Sequence, residues 1–351
     1  TSIDLRLQYL AYRALKGAIQ QYKADSGSVV LLDVQTGEVL AMVNQPGYNP
    51  NDRAQYSAER YRNRAITDIF EPGSSIKPLV LAAALESGRY RPSSTVDTAP
   101  GFVVVGPKKI EDSRNLGRVS LTTVLSRSSN VGVTKVAMSL EPDQLWSTMT
   151  RFGLGSLTAS GFPGESAGLL THYNHWQEIS QATLAYGYGV SVTPLQLAQA
   201  YAAIGDDGRL RPVSLVRVDQ AVSAERILSH DTAAAILRMM EEVVRPGGTG
   251  TKAAIPGYRV AGKTGTAVKY SAGGYSVDKY LSIFAGVVPA SNPRLAAVVV
   301  IDEPTGNLYY GSDVAAPVFA QLMTESLRLL AVPPDALPPR SSDEILQAMS
   351  R

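Results

Sequence analysis

A segment that is apolar on every side constrains the fold of this chain more than any other feature. Residues 76–85 read Ile-Lys-Pro-Leu-Val-Leu-Ala-Ala-Ala-Leu, with a Pro-Gly pair at 72–73 before them and Gly88 as a C-terminal cap after them. A helix without a polar face has to be buried on all sides. The sequence therefore predicts a central helix over residues 74–85. Its one lysine, Lys77, must either reach water along its stem or lose its charge.

Composition and charge exclude several classes of protein. The chain has 351 residues, of which 44% are hydrophobic and 18% charged, so it is not a disordered chain. A formal net charge of +2 is too small for the basic field that attracts nucleic acid. The chain has no cysteine, which excludes a thiolate nucleophile, a disulfide framework and iron–sulfur ligation. The three histidines do not form a helical metal-binding pattern, so no metal site is expected.

The start of the chain and its apolar runs bear on membrane attachment. No apolar run approaches the ~18 residues of a membrane span. Thr1 is not an initiator methionine, so we expect that upstream sequence has been removed.

The order of helical and strand patterns predicts an α+β fold. Helices are expected over residues 4–22, 121–140, 193–205, 231–244 and 314–330, and strands over 29–34, 38–43, 258–268, 280–288 and 295–301. The last strand is apolar almost throughout and should lie in the middle of its sheet. Short turns between the late strands favour an antiparallel sheet with helices on its faces.

Ser74 and Lys77 are predicted to form a nucleophile and its base. Burial can lower a lysine pKa from about 10.4 by up to roughly 3–5 units, which allows a neutral amine near pH 7. Residues three apart share a helix face, so the amine can take the proton of the Ser74 hydroxyl. Ser276 and Lys279 have the same spacing but lie among polar residues, where a lysine stays hydrated. We interpret that second match as accidental.

Ser128 and Asn130 form a second candidate motif. The hydroxyl could relay a proton, and the amide could hold a substrate carbonyl or the Lys77 amine. Serine and asparagine more often cap a helix or form a turn, and Ser113 with Asn115 repeats the spacing. The apolar residues around Ser128 favour the functional interpretation.

The third candidate motif is Lys263-Thr264-Gly265-Thr266, which interrupts a strand pattern with a glycine. Gly265 could mark a β-bulge. Alternatively, it marks a strand edge where another backbone approaches closely, with Lys263 and the two hydroxyls available for a carboxylate. Residue spacing alone leaves both interpretations open.

The three motifs together resemble class A β-lactamases and penicillin-binding proteins. Residues 63–78, 161–165, 186–189, 260–267 and 300–304 resemble the division-specific class B penicillin-binding proteins. The resemblance implies the penicillin-recognising serine-enzyme fold, with an antiparallel sheet flanked by helices and an all-helical lobe. It implies a transpeptidase domain over residues 1–331, with the sheet from roughly 1–62 and 251–331 and the lobe from roughly 63–250. Residues 332–351 are expected to be a loose tail.

The resemblance also implies a role for each site residue. Ser74 would be the acylated nucleophile, Lys77 its base, and Ser128, Asn130 and Lys263 further catalytic groups. The backbone N–H groups of Ser74 and Thr266 would form the oxyanion hole. The substrate-binding residues, which hold the donor carboxylate or line the cleft, would be Lys263, Thr264, Gly265, Thr266, Tyr186, Tyr188, Tyr309 and Tyr310.

The activity that the resemblance implies is cross-linking of septal peptidoglycan by a D,D-transpeptidase without a cofactor. The donor would be a stem pentapeptide ending in D-Ala-D-Ala, β-lactams would acylate the serine, and division-machinery membrane proteins would be partners. The enzyme would lie at the periplasmic face of the bacterial inner membrane, anchored by an upstream helix. A β-lactamase, a β-lactam sensor and an inactive division scaffold share the motifs and remain alternatives.

Overall fold

The computed structural model describes residues 1–52, 54, 57–219, 222–271 and 274–336. Its α-helices are α1 (Leu5–Tyr22), α2 (Ala58–Tyr61), α3 (Arg64–Thr67), α4 (Lys77–Glu86), α5 (Leu121–Ser126), α6 (Asn130–Met138), α7 (Pro142–Arg151), α8 (Glu178–Leu184), α9 (Pro194–Gly205), α10 (His230–Val244) and α11 (Ala315–Leu329). Its strands are β1 (Ser26–Asp33), β2 (Val39–Gln45), β3 (Thr95–Asp97), β4 (Phe102–Val105), β5 (Lys108–Glu111), β6 (Arg118–Ser120), β7 (Leu169–Leu170), β8 (Val190–Ser191), β9 (Arg209–Leu210), β10 (Glu225–Arg226), β11 (Ala261–Ser271), β12 (Gly274–Val288) and β13 (Leu295–Asp302). Most of the expected elements are therefore present, with ends shifted by a few residues.

The main sheet has five antiparallel strands in the order β11-β12-β13-β1-β2. Every residue of β1 is buried, because its alternate side chains enter two different cores. Val29 and Leu31 pack with α1 and α11, whereas Val30 and Leu32 pack with α4 and α9. A sheet covered on both faces needs apolar residues at successive positions, which explains the continuous apolar runs. The predicted α+β architecture is confirmed, with β13 in the middle of the sheet and β11 at its edge.

The apolar segment forms the buried central helix that its composition requires. Residues 77–84 of α4 are all buried. The turn before it, Gly73–Ile76, is a 3₁₀ helix, whereas an α-helix was predicted from residue 74. Pro78 has no backbone N–H to bond the Ser74 carbonyl, and the N–H of Lys77 donates to that carbonyl instead. Ser74 therefore lies in a tight turn at the start of the helix.

The helix expected over residues 121–140 is interrupted at Ser128. Its backbone is left-handed, with φ of 58°, and it separates α5 from α6. The side chain of Ser129 accepts a hydrogen bond from Gly132 N and caps α6. The sequence pattern missed this break because the residues on both sides of it are apolar and helix-compatible.

The C-terminal residues differ in part from the predicted loose tail. Residues 332–336 bond to the body of the protein: Asp335 accepts hydrogen bonds from the backbone of Arg259 and Ser291, and Val332 from the Tyr258 hydroxyl. The rest of that tail lies outside the described residues, and the predicted domain boundaries stay a prediction. Within the described ranges, no helix is both long enough and apolar enough to cross a membrane.

Candidate active site

The three sequence motifs meet at one cleft beside the edge strand β11. Its larger half has a volume of about 560 Å³ and its smaller half about 330 Å³, and Ser74 lines both. Asn130 and Thr266 also line both halves, and Ser128 and Thr264 line the larger half. Residues more than 180 positions apart in the sequence therefore surround one space, open to a ligand from either side of Ser74.

Lys77 is fully buried beside the break between α5 and α6. Its Nζ donates to the carbonyl oxygen of Ser128 at 2.6 Å and to Oδ1 of Asn130 at 2.7 Å, and lies 3.1 Å from Oγ of Ser128. A neutral amine has two N–H groups and one lone pair, which match two carbonyl acceptors and one hydroxyl. The direct hydrogen bond expected between Lys77 and Ser74 is not among these contacts.

The hydroxyl of Ser128 lies between two buried lysines. Its Oγ is 3.1 Å from Nζ of Lys77 and 3.0 Å from Nζ of Lys263. The remaining contacts of Lys263 Nζ go to the carbonyl oxygen and hydroxyl of Thr264, at 3.0 and 3.2 Å. A hydroxyl both donates and accepts, so this one can pass a proton between the two amines. The left-handed backbone of Ser128 gives its side chain this position.

Burial lowers the pKa values of both lysines. The pKa of Lys77 falls well below its usual value, first because burial disfavours the ammonium and then because Lys263 is close, while Asp112 opposes the shift. Burial lowers the pKa of Lys263 to about 7. The site therefore favours a free amine near neutral pH, as a general base requires.

Strand β11 brings its backbone against the turn that holds Ser74. A Cβ built on Gly265 would lie 2.9 Å from the Pro72 carbonyl oxygen. The missing side chain therefore allows the turn that holds Ser74 to approach the strand backbone closely. The β11–β12 register is regular from Ala261 to Val268, which rules out a bulge at Gly265. The carbonyl of Thr266 faces Gly73, and in an antiparallel strand the N–H of the same residue points the same way.

Comparison with known proteins accounts for this arrangement. The penicillin binding protein transpeptidase domain model matches residues 27–324. The chain is 48% identical over 345 residues to the peptidoglycan D,D-transpeptidase FtsI of Escherichia coli K12, covering 98% of this chain and 58% of that protein. It belongs to the penicillin-binding protein transpeptidase family. The chain thus spans less than two thirds of the length of this relative.

Two further relatives agree with this family and fold. A probable peptidoglycan D,D-transpeptidase PenA of Neisseria flavescens is 43% identical over 95% of this chain and 83% of that protein. The transpeptidase domain of penicillin-binding protein 3 from Burkholderia pseudomallei superimposes with a TM-score of 0.88 at 42% identity, covering 96% of this chain and 98% of that one. The division-specific resemblance and the penicillin-recognising fold predicted from the sequence are confirmed.

In this transpeptidase domain, the predicted tyrosines lie at different depths. Tyr186 and Tyr188 line the smaller half of the cleft, packed edge to face, and Tyr188 OH accepts a hydrogen bond from Val268 N at 3.2 Å. Tyr310 lines the larger half. Tyr309 instead lies behind it, stacked on Tyr280, and donates to the Tyr310 hydroxyl.

Asp112 and Tyr275 are among the cleft residues that sequence reasoning missed, and Glu71 bonds to Tyr275. Asp112 accepts hydrogen bonds from Ser129 Oγ and from the backbone N–H groups of Asn130 and Val131, which fixes the start of α6.

Tyr275 packs against Tyr188, and its hydroxyl donates to Glu71 Oε1 at 3.1 Å. The other oxygen of Glu71 is buried without a partner among the described residues, and burial raises the Glu71 pKa. An isolated aspartate or tyrosine carries no spacing signal that would have revealed these contacts.

The second Ser-x-x-Lys match lies on strand β12 rather than in the polar turn expected from its sequence. Ser276 donates to Asp278, and Lys279 forms an exposed ion pair with Glu303 at 2.8 Å. Because Lys279 stays in water and keeps an acidic partner, it lacks the burial that lowers the pKa of Lys77. The interpretation of this pair as accidental agrees with that placement.

Replacing Gly187 by alanine is expected to displace the turn that holds Ser74. A Cβ at this position would lie 2.1 Å from the carbonyl oxygen of Gly73, and Gly187 has φ of +91°. We expect the free energy of unfolding to fall by ~2 kcal/mol or more, because the turn has to move. Acylation by a penicillin should slow by ~10–100-fold. Thermal unfolding and acylation kinetics measure the two effects.

Gly189→Ala is the matched control for this prediction. Gly189 also has positive φ, +78°, but the nearest atom to its added Cβ is 3.8 Å away. The free energy of unfolding of this variant should fall by about 1 kcal/mol because of backbone strain, and its acylation rate should stay near normal. Equal acylation rates in the two variants would contradict the role given to the Gly73–Gly187 contact.

Proposed function

We propose that this chain is the transpeptidase domain of a septal peptidoglycan D,D-transpeptidase. The observation that carries the proposal is the Ser128 hydroxyl held between the buried amines of Lys77 and Lys263, in the cleft that Ser74 lines. The relatives named peptidoglycan D,D-transpeptidases support it. The donor substrate is a stem pentapeptide ending in D-Ala-D-Ala.

Acylation begins when Oγ of Ser74 attacks the carbonyl carbon of the penultimate D-Ala. Lys77 takes the hydroxyl proton once the bound substrate has tightened the site, as the hydrogen bonds of an empty site are often longer. The Ser128 hydroxyl then donates its proton to the leaving nitrogen and is reprotonated by the Lys77 ammonium, the peptide C–N bond breaks, and the terminal D-Ala departs as a free amine. The acyl group remains on Ser74 as an ester.

The second half of the reaction transfers the acyl group to an amine of a neighbouring strand. That amine attacks the ester, the bond to Ser74 Oγ breaks, and the amine's proton returns to the serine through Lys77. A β-lactam opens its ring in the first half-reaction, and its leaving nitrogen stays attached to the acyl group. The product therefore remains on Ser74.

Two backbone N–H groups, of Ser74 and Thr266, stabilise the oxyanion in both halves. The close contact between the Gly73 turn and the Thr266 carbonyl supports this assignment, since it turns the Thr266 backbone towards the nucleophile. One such donor is typically worth ~10²–10³ in rate. Thr264, Thr266 and the cleft tyrosines bind the donor peptide alongside.

We also propose the cellular setting that the family resemblance implies. The domain works at the periplasmic face of the inner membrane, on a protein anchored by an N-terminal helix, with division-machinery membrane proteins as partners. The FtsI relative supports a setting in peptidoglycan synthesis, because it is named a peptidoglycan D,D-transpeptidase.

Intact mass spectrometry after incubation with benzylpenicillin tests the proposal. We expect one penicilloyl adduct per chain, located by peptide mapping on the peptide that contains Ser74, and release of D-Ala from a stem pentapeptide. Benzylpenicillin with its ring already hydrolysed is the control reagent and should leave no adduct. An unmodified protein would contradict the proposal, and rapid turnover to hydrolysed penicillin would identify a β-lactamase instead.

A further inference from the structure

The terminal carboxylate of the donor needs a positive charge near Thr264, and Lys263 is poorly placed to supply it. Lys263 is fully buried, and its three short contacts go to Ser128 Oγ and to two oxygens of Thr264. An ammonium has three donors, so these contacts leave none for a ligand. Burial also lowers the pKa of Lys263 to about 7, so this amine is only partly charged at neutral pH.

Arg127 lies at the same end of the cleft, immediately before Ser128. Its exposed side chain lines the larger half, and its guanidinium lies over Gly247, where a built Cβ would be 3.2 Å from Nη2. Two residues further on, the Thr249 hydroxyl accepts a hydrogen bond from Thr264 Oγ1 at 3.1 Å. The loop at residues 247–249 therefore contacts the guanidinium of Arg127 at one end and the hydroxyl of Thr264 at the other. Thr264 is one of the residues expected from the sequence to bind the carboxylate.

Arg127 also has its charge free for a ligand. Across the described ranges, neither a hydrogen bond nor an ion pair of its guanidinium is found, whereas Lys109 in the smaller half is paired with Glu111. A guanidinium keeps its charge at all relevant pH values and matches a carboxylate with two parallel N–H groups. Arg127 thus brings a guanidinium that is unpaired in the described part of the chain into the half of the cleft that Thr249 and Thr264 also line.

We propose that Arg127, together with the hydroxyl of Thr249, which is oriented by the hydrogen bond from Thr264, binds the terminal carboxylate of D-Ala-D-Ala and the corresponding carboxylate of a β-lactam. The inference rests on the proposed function, because that function supplies the carboxylate. It assigns charge recognition to Arg127 and leaves Lys263 to position the Ser128 hydroxyl.

The test compares benzylpenicillin with its methyl ester, which lacks the negative charge. Acylation rates of the purified chain are measured for both reagents in the wild type and in Arg127→Gln, Arg127→Lys, Arg114→Gln and Arg238→Gln. We expect Arg127→Gln to slow benzylpenicillin by ~10–100-fold and the ester by less than about threefold, as for one lost charged contact. Arg127→Lys should restore part of the rate, because it restores the charge without the paired geometry.

The other two arginine variants separate a specific contact from a general field. Arg114 lines the same half of the cleft, but among the described residues only Arg127 has atoms within 4 Å of a Cβ built on Gly247, and Arg238 is an exposed arginine of α10 outside the cleft. Both variants should keep the wild-type ratio of the two rates. An equal loss in Arg114→Gln, or equal slowing of both reagents by Arg127→Gln, would overturn the assignment. Failure of the wild type to form an adduct would instead refute the proposed function.

Discussion

Replacing Ser74 by alanine is expected to abolish covalent labelling by a penicillin. The side chain provides the only oxygen that the proposed reaction acylates, so no slower route to the same adduct remains. A fluorescent penicillin and intact mass spectrometry both measure the loss. The fold should be unaffected, because the hydrogen bonds that hold this turn come from Gly73 N and Ser75 Oγ and not from the Ser74 hydroxyl.

Ser276→Ala is the matched control, since Ser276 begins the other Ser-x-x-Lys sequence. Among the described residues its hydroxyl donates to Asp278 at the surface, away from the cleft, so the variant should label like the wild type. Stoichiometric labelling of Ser74→Ala would refute the assignment of the nucleophile, and loss of labelling in Ser276→Ala would show that the two motifs had been ranked wrongly.

Replacing Lys77 by methionine is expected to slow acylation by ~10²–10⁴-fold, the usual contribution of a general base. Methionine fills a similar volume in the core but can neither take the Ser74 proton nor donate to the carbonyl groups of Ser128 and Asn130. Stopped-flow or quenched acylation with benzylpenicillin gives the rate. Thermal unfolding checks that the variant remains folded.

Lys279→Met provides the control for this second prediction, because Lys279 is exposed and paired with Glu303. It should acylate at the wild-type rate. If Lys77→Met acylated as fast as Lys279→Met, Lys77 would not be the base.

The pH profile of the wild type tests the same assignment without a mutation. Only the unprotonated amine can act as a base, so the acylation rate should fall as the pH is lowered. Because burial and Lys263 lower the pKa of Lys77 well below its usual value, the rate should level off well below pH 10. A rate that kept rising to pH 10.4 and beyond would mean that Lys77 titrates like an ordinary lysine.

The chemistry of single residues and segments could be predicted from the sequence. Residues 76–85 had to be buried because they have no polar face, which left Lys77 either to reach water along its stem or to lose its charge. The structure shows the second arrangement, with Lys77 fully buried. Burial on both faces of the sheet explains why residues 29–32 of β1 and 295–301 of β13 are continuously apolar and why both were found as strands. Local composition determines these features, so one sequence is sufficient to read them.

The partners of each site residue were decided by contacts between distant segments. Lys77 was expected to bond Ser74, but its amine bonds the α5–α6 break, whose left-handed residue Ser128 no helical pattern predicted. Asp112 and Tyr275 entered the cleft from loops and a strand without a recognisable motif. The sequence alone thus determined which groups could react, because propensity, burial and intrinsic basicity are local properties. Only the tertiary structure decided what those groups touch, because hydrogen-bond geometry depends on how segments far apart in the chain pack together.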